Sequence, residues 1–160
     1  MGKFNFDNEK FEKVKTEAEK LYETFDLVYC PYFTDKISFN AKGLRHLKFK
    51  SDQQARSNKD QYARLRLLYL APKVLNKSHT LQGLWQTKQF EQYKTSGQWK
   101  YSMKEVNFYE FIAVLDNVCV KVIVKEVFGG EKHFWSIIPY WSINKIGSKR
   151  ILHSGNPEHD

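Results

Sequence analysis

Apolar residues at Phe11, Val14, Ala18, Leu21 and Phe25 recur at spacings of 3, 4, 3 and 4, which is one face of a 3.6-residue helix. The pattern predicts an amphipathic first helix, with Lys13, Glu17, Lys20 and Glu23 on its solvated side. Asp7 is placed to cap it, and Phe6 to staple onto Phe11. The run LVYCPYF (27–33) then reads as a strand that Pro31 confines to an edge or a bend. KISFN (36–40) reads as a second short strand, and Leu44 and Leu47 bracket Arg45 and His46 as a short helical turn would after Gly43.

The polar stretch 51–60 reads as a loop. From about Ser57 to about Leu75 the residues Tyr62, Leu65, Leu67, Leu68, Tyr69 and Leu70 make a helix apolar nearly all round, hence buried, with Pro72 kinking or ending it. Residues 76–104 show no clean period. Trp85 and Trp99 stand there among Gln, Lys, Thr and Gly, as in extended segments or a flap with aromatic anchors.

The strongest strand signal follows. FYEFIAVL (108–115) and VCVKVIVK (118–125) flank Asp116-Asn117, a two-residue hairpin turn. That turn sets Leu115 opposite Val118, Ala113 opposite Val120, Phe111 opposite Val122 and Tyr109 opposite Val124, a wholly apolar face. The other face pairs Val114 with Cys119, Ile112 with Lys121, Glu110 with Ile123 and Phe108 with Lys125. After a Gly129-Gly130 turn, HFWSIIP (133–139) returns as a third antiparallel strand, and the chain past Trp141 is polar. The expected fold is α+β: an N-terminal helix and a buried second helix packed on one face of a mainly antiparallel sheet, with a C-terminal three-stranded meander. Residues 1–141 form one domain, and residues 142–160 a polar, mobile tail.

Composition agrees with a sheet-containing core: of 160 residues 41% are hydrophobic, with twelve Phe, nine Tyr and four Trp. Cys30 and Cys119 lie far apart in apolar contexts and read as buried, reduced thiols rather than a zinc or disulfide pair. No run approaches the ~18 apolar residues of a membrane span, and the N-terminal residues carry no secretory h-region, so a cytoplasmic protein is expected. The formal net charge of +8 changes the functional picture most, because a field of that sign concentrates phosphate polyanions, RNA foremost.

No Gly-rich phosphate loop, G-x-S-x-G elbow or H-E-x-x-H is present, and the five histidines have no ligand spacing, so neither metal nor cofactor is expected. What remains is the set that metal-independent RNA cleavage requires. The substrate's own 2′-hydroxyl is the nucleophile, so the protein must supply a base, an acid and cations for the phosphorane. The candidates are His46, His133, Glu110, Lys121, Arg56, Arg64 and Arg66, with Ser136 as a phosphate partner; Arg45, Lys48, Lys50, Lys121, Lys125 and Trp135 are candidates for binding nucleic acid.

GLRHLKFK (43–50), a buried helix ending in YLAPKVL (69–75), and a meander closing on HFWSIIP together resemble the barnase, EndoU, colicin and RelE-like nuclease superfamily, in its branches from phages and mobile elements. The resemblance covers residues 27–141 in order of elements. It implies that His46 matches the family's histidine and Ser136 its final-strand hydroxyl, with Arg56 or Arg64 as the basic residue. A toxin or phage effector, held by an acidic antitoxin or immunity-type protein, is the role it implies. Two other readings are open: a non-catalytic RNA- or DNA-binding module using the mixed sheet face, and an interaction protein bound by an acidic inhibitor.

Overall fold

A computed structural model describes residues 7–51, 53–140 and 156–160. The expectation for Phe6, and those for residues 141–155, fall outside those residues. Helix α1, Asn8–Glu23, is capped as its sequence predicts, the Asp7 carboxylate accepting from the Glu9 amide at 2.9 Å. Its inward face is turned slightly from the predicted stripe. Tyr22 is buried and Leu21 is exposed, because the Tyr22 ring meets Phe25, Phe39 and Phe134 while its hydroxyl donates to the Asn40 carbonyl.

Strands β1, Val28–Cys30, and β2, Asp35–Ile37, form a small antiparallel ribbon after which Pro31 allows no further pairing. Helix α2, Ala41–Lys48, starts at Asn40, whose side chain accepts from the Lys42 and Gly43 amides. A Cβ on Gly43 would lie 2.4 Å from the carbonyl oxygen of Phe134, so glycine lets α2 rest directly on backbone. The stretch expected as a loop holds a second ribbon, β3 (Phe49–Ser51) with β4 (Gln54–Ala55).

The single long helix expected over 57–75 is broken into α3 (Asn58–Leu65), a 3₁₀ turn (Leu68–Leu70) and α4 (Ala71–Lys77). Pro72 accounts for the break. It has no amide for an intrahelical bond and its ring would strike the carbonyl of residue 68, so the chain restarts with proline in the first turn of α4.

Residues 76–104 are mostly strand. Strands β5 (Gly83–Thr95), β6 (Gln98–Leu115), β7 (Val118–Val127) and β8 (Lys132–Pro139) form one antiparallel sheet in sequential order, so the expected three-stranded meander has four strands. The β6–β7 register is the one predicted, Leu115 opposite Val118 through Phe108 opposite Lys125. Asp116 and Asn117 both take left-handed conformations, φ 50° and 62°, as that turn demands. The helices bury Leu47, Leu65, Leu68, Leu70, Val74 and Leu75 with Phe111, Val120, Val122 and Val124 on the predicted apolar face. Val106, Phe108 and Ile123 form a smaller cluster with Trp85, Val127 and Trp135. Cys30 is fully buried as expected; Cys119 is only half-buried, and both are free thiols.

Candidate active site

His46 is positioned by the amphipathicity of α2. Gly43, His46 and Leu47 lie on its inward face, three and four residues apart, and are buried. Ser136 and Trp135 are positioned by an irregularity in the β7–β8 ladder. Ile123 faces Ser136 while Val124 faces Phe134, so Trp135 is the extra residue of a bulge. The imidazole of His46 stacks on the Trp135 indole, with ring centroids 4.0 Å apart.

The two arginines left open by the sequence both belong to the cluster, and Asp60 joins them. Arg56, just before α3, donates from Nε to the His46 carbonyl (2.9 Å) and from Nη2 to His46 Nε2 (3.0 Å). Arg64, one turn beyond Asp60 on α3, is fully buried and donates from Nη1 to Ser136 Oγ at 2.8 Å. One carboxylate serves both guanidinium groups: Asp60 Oδ1 lies 2.6 Å from Arg64 Nε, and Oδ2 lies 3.5 Å from Arg56 Nη1. Arg56, Asp60 and Arg64 are spaced i, i+4, i+8, a period that marks one helical face and was the available signal for Asp60.

A third part of the chain enters the cluster. Residues expected to belong to a mobile tail are packed against it, and Asp160 is 1% exposed. The Glu158 carbonyl accepts from Trp135 Nε1 (3.3 Å) and the His159 carbonyl from Arg56 Nη2 (2.9 Å). The main-chain oxygen of Asp160 accepts from both Arg64 Nη1 and Ser136 Oγ. Lys121 Nζ stands 3.5 Å from the Asp160 carboxylate and, on its other side, 3.5 Å from Glu110.

The electrostatics follow from burial and from this crowd of cations. Burial, then the charges of Arg56, Arg64 and Lys125, push the His46 pKa down to about 2, so the ring is neutral at pH 7. A guanidinium can only donate, so Nε2 presents its lone pair to Arg56 and the ring proton sits on Nδ1. Burial lowers Arg56 to about 10 and lowers Arg64 also, Asp60 opposing the shift in both; the two remain cations at neutral pH.

The remaining candidates are less central. His133 is buried at the start of β8, its pKa pushed down to about 4 chiefly by burial, and its Nε2 finds no hydrogen-bond partner among the described residues. It meets the edge of Trp135 at 6.1 Å rather than a member of the arginine cluster. Lys125 lies over the Trp135 ring at 4.5 Å and pairs with Glu91 at 2.9 Å. Lys48 pairs with Glu19 of α1, Arg45 lies over the Phe49 ring, and Lys50 is exposed, so this basic stretch faces away from the buried side of α2. Comparison of the chain with protein-family models, with curated proteins and with solved structures finds no match.

Proposed function

We propose that this protein is a metal-independent endoribonuclease of the cytoplasm that cleaves RNA by transesterification at the cluster of His46, Arg56, Arg64 and Ser136. The resemblance of its motifs to the barnase, EndoU, colicin and RelE-like superfamily supports the same reading. The observation that carries it is the meeting of these four residues, drawn from α2, the residue before the cap of α3, the last turn of α3, and β8, with Arg56 bonded to the His159 oxygen and Arg64 and Ser136 to that of Asp160. Two guanidinium groups, a hydroxyl and a neutral imidazole are the groups a phosphodiester needs in order to pass through a phosphorane.

In this mechanism a phosphate oxygen takes the position that the Asp160 main-chain oxygen holds, accepting from Arg64 and Ser136. As the phosphate draws Arg56 off His46 Nε2, the freed lone pair of that neutral ring takes the proton of the 2′-hydroxyl while the 2′-oxygen bonds to phosphorus. The bond from phosphorus to the 5′-oxygen breaks, and Lys121, flanked by Glu110, gives that oxygen a proton. The products are a 2′,3′-cyclic phosphate and a 5′-hydroxyl. Incubating micromolar protein with total RNA in EDTA tests the reading. Cleavage with cyclic-phosphate ends, lost in His46→Ala, is expected; no cleavage by wild type, or equal cleavage by His46→Ala, overturns it.

A second reading, a single-strand-binding module without chemistry, is favoured by the free end of the β5–β6 hairpin. No residue from Lys88 to Lys104 is buried, and Phe90 (72% exposed), Tyr101 (69%) and Trp99 (62%) share one face with Met103 and Lys94. Exposed rings beside lysines make a stacking platform for bases. RNA binding without cleavage would select this reading.

A further inference from the structure

We infer that residues 156–160 are an autoinhibitory plug, occupying the pocket into which a phosphodiester must enter. The inference rests on reading the His46, Arg56, Arg64 and Ser136 cluster as the phosphate-binding site. Three successive main-chain oxygens, of Glu158, His159 and Asp160, accept hydrogen bonds from Trp135, from Arg56, and from Arg64 with Ser136. The Asp160 carboxylate adds a negative charge beside Lys121. A row of acceptors ending in an anion matches what the pocket would otherwise offer to a phosphate and its neighbours.

The contacts are of a kind that can be exchanged. The described residues of the segment are a turn, Asn156 accepting from the His159 and Asp160 amides and its side chain from the Glu158 amide. Pro157 is the one buried apolar residue among them, and it is not part of the main hydrophobic cluster. Among the described residues, the donors that the segment's main-chain oxygens satisfy on Trp135, Arg56, Arg64 and Ser136 can be satisfied as well by phosphate oxygens once RNA is bound. With the segment in place Asp160 is 1% exposed and Ser136 fully buried, and an RNA phosphate cannot reach either Arg64 or Ser136. Competition of this sort lowers apparent affinity by the fraction of molecules whose pocket is open.

The test measures binding of the full-length chain to a short 2′-O-methyl RNA, which has no nucleophilic hydroxyl and cannot be cleaved. Asp160→Arg places a cation against Arg64 and Lys121 and should expel the segment. The control, Glu12→Gln with Glu17→Gln on the exposed face of α1, changes net charge by the same amount. The plug predicts binding at least about tenfold tighter in Asp160→Arg than in the control, with a parallel rise in cleavage of unmodified RNA. Affinity equal to that of the control overturns the plug, and if the wild type nevertheless cleaves RNA in a His46-dependent way, the nuclease reading stands without it. Tighter binding with no cleavage by either protein keeps the plug and removes the nuclease reading. Should Asp160→Arg fail to unfold cooperatively, Asp160→Asn decides the matter: a gain of about threefold over Glu12→Gln is expected, and no gain overturns the proposal.

Discussion

The imidazole of His46 lies on the indole of Trp135, centroids 4.0 Å apart and planes inclined by 21°, while Lys125 covers the indole at 4.5 Å. The protein's own side chains thus pack on the Trp135 ring, which supports His46. Trp135→Ala removes that support and leaves a void beside Phe108. Because Trp135 is only half-buried, the expected loss is about 2 kcal/mol of stability, below the range for fully buried aromatics. Trp135→Phe should lose less than half of that. Urea unfolding of the two variants checks the order; equal losses would remove the stacking argument.

Among the described residues Asp60 is the carboxylate whose two oxygens pair with both buried guanidinium groups. Asp60→Asn removes the paired counter-charge of Arg64 and Arg56, leaving them only the more distant influence of Asp160, and breaking a buried ion pair costs about 3–5 kcal/mol. In an Arg64→Met background the same substitution should cost at least about 1 kcal/mol less, because one of the stranded charges is gone. A double-mutant cycle by chemical unfolding measures the difference. Additive losses would show that the Asp60–Arg64 pair carries no coupling.

Both buried histidines make stability depend on pH in one direction. Their folded pKa values, about 2 for His46 and about 4 for His133, lie below the unfolded value near 6.5. The unfolded chain then binds more protons, so stability rises with pH through this range: the contribution is complete above pH 6.5 and is lost as pH falls toward the folded values. From pH 6.5 to pH 4.5 each histidine should remove roughly 2–3 kcal/mol. Unfolding midpoints at the two pH values check this, and His133→Phe should halve the dependence. An unchanged slope in that variant would place the loss elsewhere.

How much of this could be read from residues alone follows from what each contact uses. The β6–β7 hairpin was legible because side-chain alternation and the Asp116-Asn117 turn specify the same register. Strand β5 was not, because its exposed face mixes Leu84, Gln86, Lys88 and Phe90, so burial alternates where polarity does not. His46 and Ser136 were legible as residue types in recognisable settings. The seating of Glu158, His159 and Asp160 was invisible, because it runs largely through main-chain oxygens that every residue carries. Asp60 lay between these cases, displayed by its spacing from Arg56 and Arg64 where the loop expected over 51–60 overlaps the helix expected from about Ser57.

The hairpin end separates binding from chemistry. Between Lys88 and Lys104 the chain carries four lysines and one glutamate, and that glutamate, Glu91, is paired with Lys125. If single-stranded RNA lies along this end, Phe90→Ser with Trp99→Ser should weaken binding by about 1–3 kcal/mol per lost base stack, while the exposed positions leave the unfolding midpoint nearly unchanged. Lys94→Gln with Lys100→Gln should instead flatten the salt dependence, reducing the log–log slope by about 0.7 for each phosphate contact removed. Neither pair touches His46, Arg56, Arg64 or Ser136, so cleavage at saturating RNA should persist in both. Anisotropy titrations of a labelled oligonucleotide at several salt concentrations, run beside saturating-substrate cleavage, read the two effects apart. Unaltered affinity in both pairs would assign the hairpin's exposed rings to something other than RNA.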